Sequence, residues 1–461
     1  LGSGDMKLIA KINTTGMLFL SLITTAFAHS DISQTSQAST KEPDGVLFKN
    51  VQIFDGKSNK LTAPMNVLVR GNKIQSISRS PIQTTNDTIV IEANQKVLMP
   101  GLIDAHWHAM MAAMPVSKLL TSEVADFNFS AAAEANNTLM RGFTSVRDMI
   151  GPTFSLKRAI DSNIINGPRI WPSGAIISQT GGHGDFRMTY EIPSSSASHS
   201  RGEQIGGGVI ADGPSEVTKR VREQLMLGAT QIKLAAGGGV SSQYDPIDVA
   251  QYSEEEFRAA VNAAENWGTY VSVHAYTHRA IQAALKGGVK VIEHAQLIDE
   301  PTIKMMAQKN AWLSSQAFLD NEYSNPQQGE ARVKQIEVQK GTDNAFKLAK
   351  KYKLKVAWGT DILFDPKMAK NQGAILATMT HWYTAPEVLK MATSTNAELL
   401  ALSGPRNPYP GKLGVVEEGA LADLLLVNGN PIENINLVSN PETNFVVIMK
   451  DGVIYKNTVA K

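Results

Sequence analysis

The sequence predicts an α/β protein, a (β/α)8 TIM barrel with a small composite β-sandwich built from N- and C-terminal segments. Three observations lead to this prediction. Apolar strand-like runs alternate with helical periodicity from residue 101 to about residue 403, which is typical of a barrel. Short β-type runs separated by turn residues flank that region on both sides. No GxGxxG motif follows the first strand of the alternating region, which argues against a dinucleotide-binding doubly wound sheet.

The composition is that of an ordinary soluble globular protein. The 461 residues include 44 Lys and Arg against 43 Asp and Glu, a net charge of +1, and 43% are hydrophobic. A balanced charge gives no electrostatic reason to expect nucleic acid or an anionic membrane as a partner. The chain has no cysteine, which excludes disulfides, cysteine-ligated metals and cysteine nucleophiles. Any metal must therefore be held by His, Asp, Glu or a less usual ligand.

The N-terminus is typical of a secretory signal peptide. Lys7 and Lys11 form a basic segment, an apolar run follows at 17–25, and Ala26-Phe27-Ala28 matches an A-x-A cleavage site. The apolar run is shorter than the about 20 residues that cross a bilayer. A buried N-terminal helix is the alternative, but nothing caps it. We therefore expect an exported protein, periplasmic or secreted, with no membrane association after signal cleavage.

These features divide the chain into six predicted segments. They are residues 1–5, a cloning remnant; 6–28, the signal peptide; 29–45, a mobile leader; 46–100, the first part of the β-sandwich; 101–403, the (β/α)8 barrel; and 404–461, the second part of the β-sandwich.

The two flanking segments are predicted to contain short strands punctuated by glycine and asparagine turns. In the first segment the β-type runs are 46–48, 51–54, 67–69, 74–77 and 89–91. In the last segment they are 422–427, 445–449 and 453–455. Asp451-Gly452 separates the final two runs and is a hairpin signal. Because both ends of the chain have this pattern of short strands and turns, we expect them to pair into one discontinuous domain.

The middle region is predicted to supply the barrel strands and the helices between them. The strands are expected at 102–104, 144–147, 170–177, 232–235, 270–273, 289–292, 312–315 and 355–358. Helices are expected at 216–227, 253–267 and 280–285. The second helix opens with Ser253 and Glu256, a capping box, and the third ends at Gly287-Gly288, a helix stop.

Histidine, lysine and aspartate side chains mark the carboxyl ends of five of these strands, where the active sites of barrels lie. They are His106 and His108 after strand one, Lys233 in strand four, His274 in strand five, His294 in strand six and Asp361 after strand eight. His106 and His108 point the same way in an extended chain, so both imidazoles can reach one ion. A single histidine in such a place is more often a hydrogen-bonded core residue, but four of them together favour a metal site.

Lys233 has two interpretations that the residues alone leave open. One is a buried lysine paired with a carboxylate. The other is a carbamate on Lys233, which would convert a cation that is repelled by metals into a carboxylate that bridges two of them.

With these residues in view, the chain resembles the amidohydrolase superfamily from about residue 46 to the C-terminus. Pro100-Gly-Leu-Ile-Asp-Ala-His-Trp-His108 is similar to its first-strand metal motif, and the lysine, histidines and aspartate that follow come in its order. Further segments resemble the imidazolonepropionase-related metal peptidases, a branch with Xaa-Pro and Xaa-Arg/Lys dipeptidases and ochratoxin-hydrolysing amidohydrolases. They are Thr180-Gly-Gly-His-Gly-Asp185, Ala211-Asp-Gly-Pro214 and Lys233-Leu-Ala-Ala-Gly-Gly-Gly-Val-Ser241.

The resemblance implies two divalent metals, with zinc as the default for nitrogen and oxygen ligands. His106, His108 and Asp361 would bind the more buried metal, His274 and His294 the more exposed one, and a CO2-derived carbamate on Lys233 would bridge them. A hydroxide between the two metals would attack the amide carbonyl. Asp361 would act as general base and then as general acid.

Substrate-binding residues are predicted in the loops after strands three, four and five. His183 is expected to hydrogen-bond the carbonyl oxygen or the tetrahedral oxyanion, and a loop histidine without a ligand is the alternative. Tyr244 stands where the related dipeptidases bind the substrate α-carboxylate, and Arg187 and His278 are basic candidates near the same rim. His278 is equally well explained as a helix-start residue. Asp185 is expected to orient His183 or Arg187, or to lie at the surface.

The combined prediction is an exported, binuclear metal-dependent amidohydrolase that cleaves an amide or peptide bond next to a free C-terminal carboxylate. Candidate substrates are dipeptides and N-acyl amino acids, including the phenylalanine amide of ochratoxin A. The main alternative keeps the metal site but opens a cyclic amide, an imidazolone or a lactone. A non-catalytic binding protein would be expected to lack a ligand, whereas all six positions are filled. The expected partners are a small-molecule substrate and further copies of the chain in a homo-oligomer.

Overall fold

The computed structural model describes residues 43–192 and 199–459. The predicted cloning remnant and signal peptide lie outside the described residues, as does most of the predicted leader. The end of that leader is already part of the fold, because the first strand starts at Gly45. In the described ranges, no helix combines the length and apolarity that crossing a membrane requires.

The strands and helices are numbered here along the described chain. The strands are β1 (Gly45–Ile53), β2 (Met65–Arg70), β3 (Lys73–Ser78), β4 (Thr88–Glu92), β5 (Val97–Pro100), β6 (Leu102–Trp107), β7 (Phe143–Asp148), β8 (Arg169–Pro172), β9 (Ile176–Ser178), β10 (Gly208–Ile210), β11 (Ile232–Ala235), β12 (Val271–Thr277), β13 (Val291–Leu297), β14 (Trp312–Ser315), β15 (Val356–Trp358), β16 (Leu424–Val427), β17 (Phe445–Lys450) and β18 (Val453–Asn457). The α-helices are α1 (Val116–Thr121), α2 (Val124–Met140), α3 (Phe154–Asp161), α4 (Arg201–Gln204), α5 (Pro214–Leu227), α6 (Glu254–Glu265), α7 (His278–Gly287), α8 (Glu300–Gln308), α9 (Gly329–Lys351), α10 (Pro366–Ala369), α11 (Gln372–Thr378), α12 (Ala385–Lys390), α13 (Asn396–Leu400) and α14 (Pro441–Asn444).

Strands from both ends of the chain pair in one sheet. Its order is β18-β17-β16-β5-β1-β2-β3, with β4 added on β1. The junction is the antiparallel pair of β16 and β5, in which Leu424 faces Pro100 and Val427 faces Val97. The sheet has its own buried apolar core, which includes Val67, Leu98 and Leu426. The predicted pairing of the two flanking segments is therefore present in the structure.

Two details of this sheet differ from the sequence prediction. The runs 46–48 and 51–54 form the single strand β1, which stays continuous because a bulge between Phe48 and Val51 absorbs the polar residues there. Asn50 takes a left-handed conformation at that point, with a φ of 54°, which asparagine tolerates better than most residues. The predicted hairpin at Asp451-Gly452 is confirmed, because both residues have positive φ and β17 pairs with β18, as a two-residue turn requires.

The middle of the chain forms parallel strands in the order in which they were predicted. One sheet contains β6-β7-β8, and a second contains β10-β9-β11-β12-β13-β14-β15. The third predicted strand, 170–177, is split into β8 and β9, because Gly174 turns there with a φ of 76° and the side chain of Gln224 accepts the Ala175 N–H at 3.0 Å. Beyond the sheets, the Asp361 N–H donates to the His106 carbonyl at 2.8 Å, so the segment after β15 lies beside β6.

The helices begin and end where the sequence signals indicate. In α6 the Ser253 hydroxyl accepts from the Glu256 N–H, and the Glu256 side chain returns to the Ser253 backbone; such a cap contributes about 1 kcal/mol. Helix α7 ends at Gly288 in a left-handed conformation, the usual glycine stop. These helices pack apolar residues such as Phe257 and Ile281 into the same buried cluster as Leu234 and Val273 of the strands.

Candidate active site

Three of the predicted metal ligands converge at the carboxyl ends of the parallel strands. His106, His294 and Asp361 each place a ligand atom within 4.8 Å of the others. His106 and His294 are almost completely buried, while about a fifth of the Asp361 side chain is exposed. Buried nitrogen and oxygen donors at this spacing form the kind of site that holds a divalent ion.

The backbone takes unusual conformations to deliver these side chains. His294 has a φ of 76° and Asp361 a φ of 56°, and such positive values in residues other than glycine often occur at functional sites. Gly359 allows the close approach of two strands, because a Cβ there would collide with the His106 backbone. The buried Asp104 fixes the same region by accepting the N–H groups of His106, at 3.0 Å, and Thr360, at 3.1 Å.

The carboxylate of Asp361 joins the histidines of the cluster. Its Oδ1 lies 2.9 Å from Nε2 of His108 and 3.3 Å from Nε2 of His106, and its Oδ2 lies 3.9 Å from Nδ1 of His294. Burial alone would raise the pKa of Asp361, but the facing His106 and the hydrogen bond to His108 hold that pKa well below its ordinary value. Asp361 is therefore an ionised acceptor at neutral pH.

Burial favours the neutral imidazoles of His106, His294 and His274, and neutral imidazole is the form that binds metals. Burial, followed by the nearby charge of Lys233, lowers the pKa of His106 to about 4. Burial also lowers the pKa of His294 to about 3 and holds the pKa of His274 well below its ordinary value. Nδ1 of His108 is buried and has no hydrogen-bond partner in the described part of the chain.

His274 is connected to the cluster through ring contacts. Its ring centroid lies 4.5 Å from that of His294 and 3.9 Å from that of His183, which stacks on it. Its Nε2 is 3.0 Å from the Gly238 carbonyl, so Nδ1 is the ring nitrogen that does not take part in this contact. The structure thus brings His274 beside His294, as the prediction of a shared metal requires.

Lys233 is 2% exposed and lies in β11. Within residues 43–192 and 199–459, its ammonium group forms no ion pair at contact distance, but the charges of the nearby Glu293 and Asp361 favour its protonated form. Burial lowers the pKa of Lys233 to about 8. An unmodified ammonium does not fit a cation site, whereas a carbamate on the same nitrogen does. The remaining donors of the cluster fit divalent ions without modification.

A second layer of buried polar residues supports the cluster, and sequence reasoning missed it. Glu293 is fully buried and its Oε2 lies 2.8 Å from Nδ1 of His106, while its Oε1 accepts from Arg147 at 2.7 Å and from the hydroxyl of Ser272. Gln316 lies 2.8 Å from Nδ1 of His294. Partners of this kind fix the orientation of ligand imidazoles. A glutamate inside the apolar run before His294 was the available signal.

Three of the predicted substrate residues, His183, Arg187 and Tyr244, lie in two loops that contact each other. Nδ1 of His183 is 3.0 Å from the Ser242 hydroxyl and 3.7 Å from Asp245. Arg187 forms a two-point ion pair with Asp185, at 2.8 and 2.5 Å. Of the roles considered for Asp185, the structure therefore shows the orientation of Arg187, and it shows no surface location because Asp185 is 8% exposed.

Tyr244 and Arg187 lie together, whereas His278 stands apart. The Tyr244 hydroxyl donates to the Arg187 carbonyl at 2.8 Å, so the two loops meet at these residues. His278 is the first residue of α7 and is exposed. Its position matches the helix-start interpretation, and among the described residues it forms no hydrogen bond, ion pair or ring contact with another predicted site residue.

Comparisons with known proteins give results that agree with this geometry. A family model described as the amidohydrolase family matches residues 97–459. The chain is similar to an ochratoxinase from Aspergillus niger, with 31% identity over 382 residues that cover 78% of this chain and 76% of that protein. A crystal structure of a prolidase complexed with N-methylphosphonate-L-proline has 32% identity and a TM-score of 0.82, covering 90% of this chain and all of that one. The crystal structure of A. niger ochratoxinase has 26% identity and a TM-score of 0.78, covering 91% and 97%.

Proposed function

Because this chain belongs to the amidohydrolase family and is a metal-dependent hydrolase of amide bonds with a TIM-barrel-type fold, we propose that it cleaves an amide or peptide bond next to a free C-terminal carboxylate. The proposed substrates are dipeptides or N-acyl amino acids, including ochratoxin A, which would give phenylalanine and the acid product. The similarity to a prolidase that was crystallised with N-methylphosphonate-L-proline, a ligand that ends in a proline carboxylate, and to an ochratoxinase supports this substrate class.

The observation that carries the proposal is the placement of the buried His106, His294 and Asp361 group beside the loops that bear His183, Arg187 and Tyr244. A hydrolase needs the first group to activate water and a second group to hold the substrate. Arg187 supplies a guanidinium in the loop that also bears His183, and Asp185 holds that guanidinium in a fixed orientation through two contacts. A fixed guanidinium matches the geometry of a carboxylate.

Each residue has a distinct task in the proposed reaction. Two divalent ions, proposed to be zinc, would be held by His106, His108, His274, His294, Asp361 and a carbamate on Lys233, and would supply Lewis-acid activation of water and of the carbonyl. Asp361 accepts a proton from the attacking water and passes it to the leaving amine, which its ionised state permits.

His183 is proposed to stabilise the charge that develops on the carbonyl oxygen. The Ser242 hydroxyl lies at Nδ1 of His183 and can donate to it, which leaves the ring proton on Nε2. A proton on Nε2 makes His183 a hydrogen-bond donor on the side away from Ser242. Such a donor contributes most when negative charge forms in the transition state.

The proposal also covers features of the whole protein. The two parallel sheets would belong to one closed barrel, which the hydrogen bond between Asp361 and His106 supports. The sheet that joins the two ends of the chain would be the composite β-sandwich of the family. We also propose that the protein is exported and that it assembles as a homo-oligomer.

The test is a turnover panel read by mass spectrometry on the mature protein. It contains Xaa-Pro, Xaa-Arg and Xaa-Phe dipeptides, N-acyl-phenylalanines and ochratoxin A, each before and after chelation and after zinc is restored. We expect hydrolysis of one class that is lost on chelation and restored by zinc. Amidated forms of the same compounds serve as matched controls and should react much more slowly. A lactone and a cyclic amide are added to the panel, and turnover of these compounds alone would contradict the proposed substrate class.

A further inference from the structure

A lysine from a distant helix anchors the loop that follows β11. The β11 loop comprises residues 237–246, and Lys334 lies in α9, which follows the seventh predicted barrel strand. The Nζ of Lys334 is 2.7 Å from the carbonyl oxygen of Asp245, 3.3 Å from that of Ser242 and 3.4 Å from that of Gly239. An ammonium group has three N–H donors and no acceptor, so each donor of Lys334 has a carbonyl acceptor in this one loop.

The β11 loop contacts three of the predicted site residues. Ser242 is hydrogen-bonded to His183, Tyr244 to the backbone of Arg187, and the Gly238 carbonyl to His274. A shift of the loop would therefore move the groups proposed to hold the substrate.

Few other hydrogen bonds hold the loop in shape. The Asp245 carboxylate accepts the Gly239 N–H at 2.7 Å, and Gly237 forms a bridge with Ala250 at the loop's base. The loop is folded tightly, because a Cβ at Gly238 would collide with the Pro246 carbonyl. Carbonyl oxygens that converge on one point repel each other unless a cation lies between them, and Lys334 supplies that cation.

The helix that carries Lys334 is itself fixed against the site. Val338, one turn further along α9, packs in a buried cluster with Ile247 and Tyr276. Tyr276 in turn contacts the rings of His274 and His294. Lys334 therefore extends from a helix that packs, through Val338 and Tyr276, against the residues of the site.

We propose that Lys334 is a positioning residue that holds the β11 loop over the site and so sets the affinity for the substrate carboxylate. The kinetic part of this inference rests on the proposed function. The structural part, that Lys334 orders the β11 loop, does not depend on it.

The test compares three variants of the metal-loaded protein. Lys334→Met removes the charge and the N–H donors but keeps most of the aliphatic side chain, whereas Lys334→Arg keeps a charged donor. Lys340→Met, which changes an exposed lysine of the same helix, is the matched control. Hydrogen exchange of the peptide that spans 237–246 is measured by mass spectrometry, together with metal content, kcat and KM for the best substrate of the panel.

We expect exchange in the 237–246 peptide of Lys334→Met to rise about tenfold and KM to rise about tenfold, because the variant loses three hydrogen bonds from a charged donor. Metal content should be unchanged and kcat should stay within about threefold of the wild-type value. Lys334→Arg should recover most of both effects, and Lys340→Met should match the wild type.

Two results would overturn the inference. One is wild-type exchange of the loop in Lys334→Met, and the other is global unfolding of that variant, which would make Lys334 a determinant of the whole fold. If exchange rises but no carboxylate-bearing amide is cleaved by any variant or by the wild type, the loop anchor stands and the proposed substrate class fails. If exchange rises and KM does not, the anchoring role stands and its link to substrate affinity is wrong.

Discussion

The fully buried carboxylate of Glu293 is hydrogen-bonded to Nδ1 of His106 at 2.8 Å, and its other oxygen is paired with the buried Arg147. This pair holds the first predicted metal ligand in one ring orientation. Nε2 of His106 is then the nitrogen that faces Asp361. Burial would raise the pKa of Glu293, but Arg147 and His106 keep that pKa well below its ordinary value, so the carboxylate stays charged.

Glu293→Gln should weaken metal binding without changing a ligand. The amide is neutral and supports the imidazole less strongly, so we expect zinc affinity to fall by about 10- to 100-fold. Competition with a chromogenic chelator measures it. Glu265→Gln, at the exposed end of α6, is the matched control. Unchanged zinc affinity in Glu293→Gln would show that the hydrogen bond to His106 does not tune the site.

Asp361→Asn should keep the fold and part of the metal but lose turnover. The amide cannot accept the proton of the attacking water, so we expect kcat to fall by about a thousandfold or more. Metal content is measured by elemental analysis and kcat on the best substrate of the panel. Asp126→Asn, in the exposed first turn of α2, should leave kcat unchanged. A kcat near the wild-type value in Asp361→Asn would show that another group is the base.

Lys233 should carry a carbamate that can be observed directly. After equilibration with 13C-labelled bicarbonate, we expect a carbamate carbon resonance in the wild type that is absent from Lys233→Ala. We also expect Lys233→Ala to lose turnover, since the variant would lack the carbamate oxygens proposed to help hold the metals. Lys219→Ala, which changes an exposed lysine of α5, should keep both the resonance and the activity. Normal turnover of a fully metallated Lys233→Ala protein would refute the carbamate.

The contribution of Asp148 to the stability of the protein should fall as the pH rises. Burial raises the pKa of this carboxyl from 3.8 to about 8, and the hydrogen bonds from Thr153 and Ala109 offset burial only in part. Between pH 3.8 and about pH 8, the carboxyl of Asp148 is therefore protonated in the folded protein and ionised in the unfolded chain. It follows that the stabilisation is present at low pH and is lost as the pH rises towards 8.

Asp148→Asn removes this titration while keeping a group that can bond to Thr153 and Ala109. We expect the wild-type Tm to drop by several degrees more than the variant Tm between about pH 5 and about pH 9. Thermal unfolding followed by circular dichroism measures the difference, with Asp126→Asn expected to follow the wild type. Parallel Tm curves for the wild type and Asp148→Asn would mean that Asp148 is charged in the folded protein.

Alternation of strands and helices was enough to predict the parallel strands, because their apolar runs are short and separated by clear helix signals. The clustering of His106, His294 and Asp361 followed from placing the ends of those strands together. The support from Glu293 and Gln316 could not be predicted in the same way, because it depends on which buried side chains of neighbouring strands and loops meet. The ion pair of Arg187 with Asp185 could not be predicted either, since a surface role for Asp185 was equally consistent with the sequence.

The pairing of β5 with β16 has a consequence for how the protein folds. The contacts of this sheet have very high sequence separation, so their formation carries a large loop-closure entropy. During synthesis the N-terminal strands must wait, unpaired on one edge, until the last part of the chain has been made. We therefore expect the nascent chain to expose an unpaired edge strand, which can pair with other chains, for most of its translation. We also expect chains that stop before β16 to aggregate even when residues 101–403 are complete.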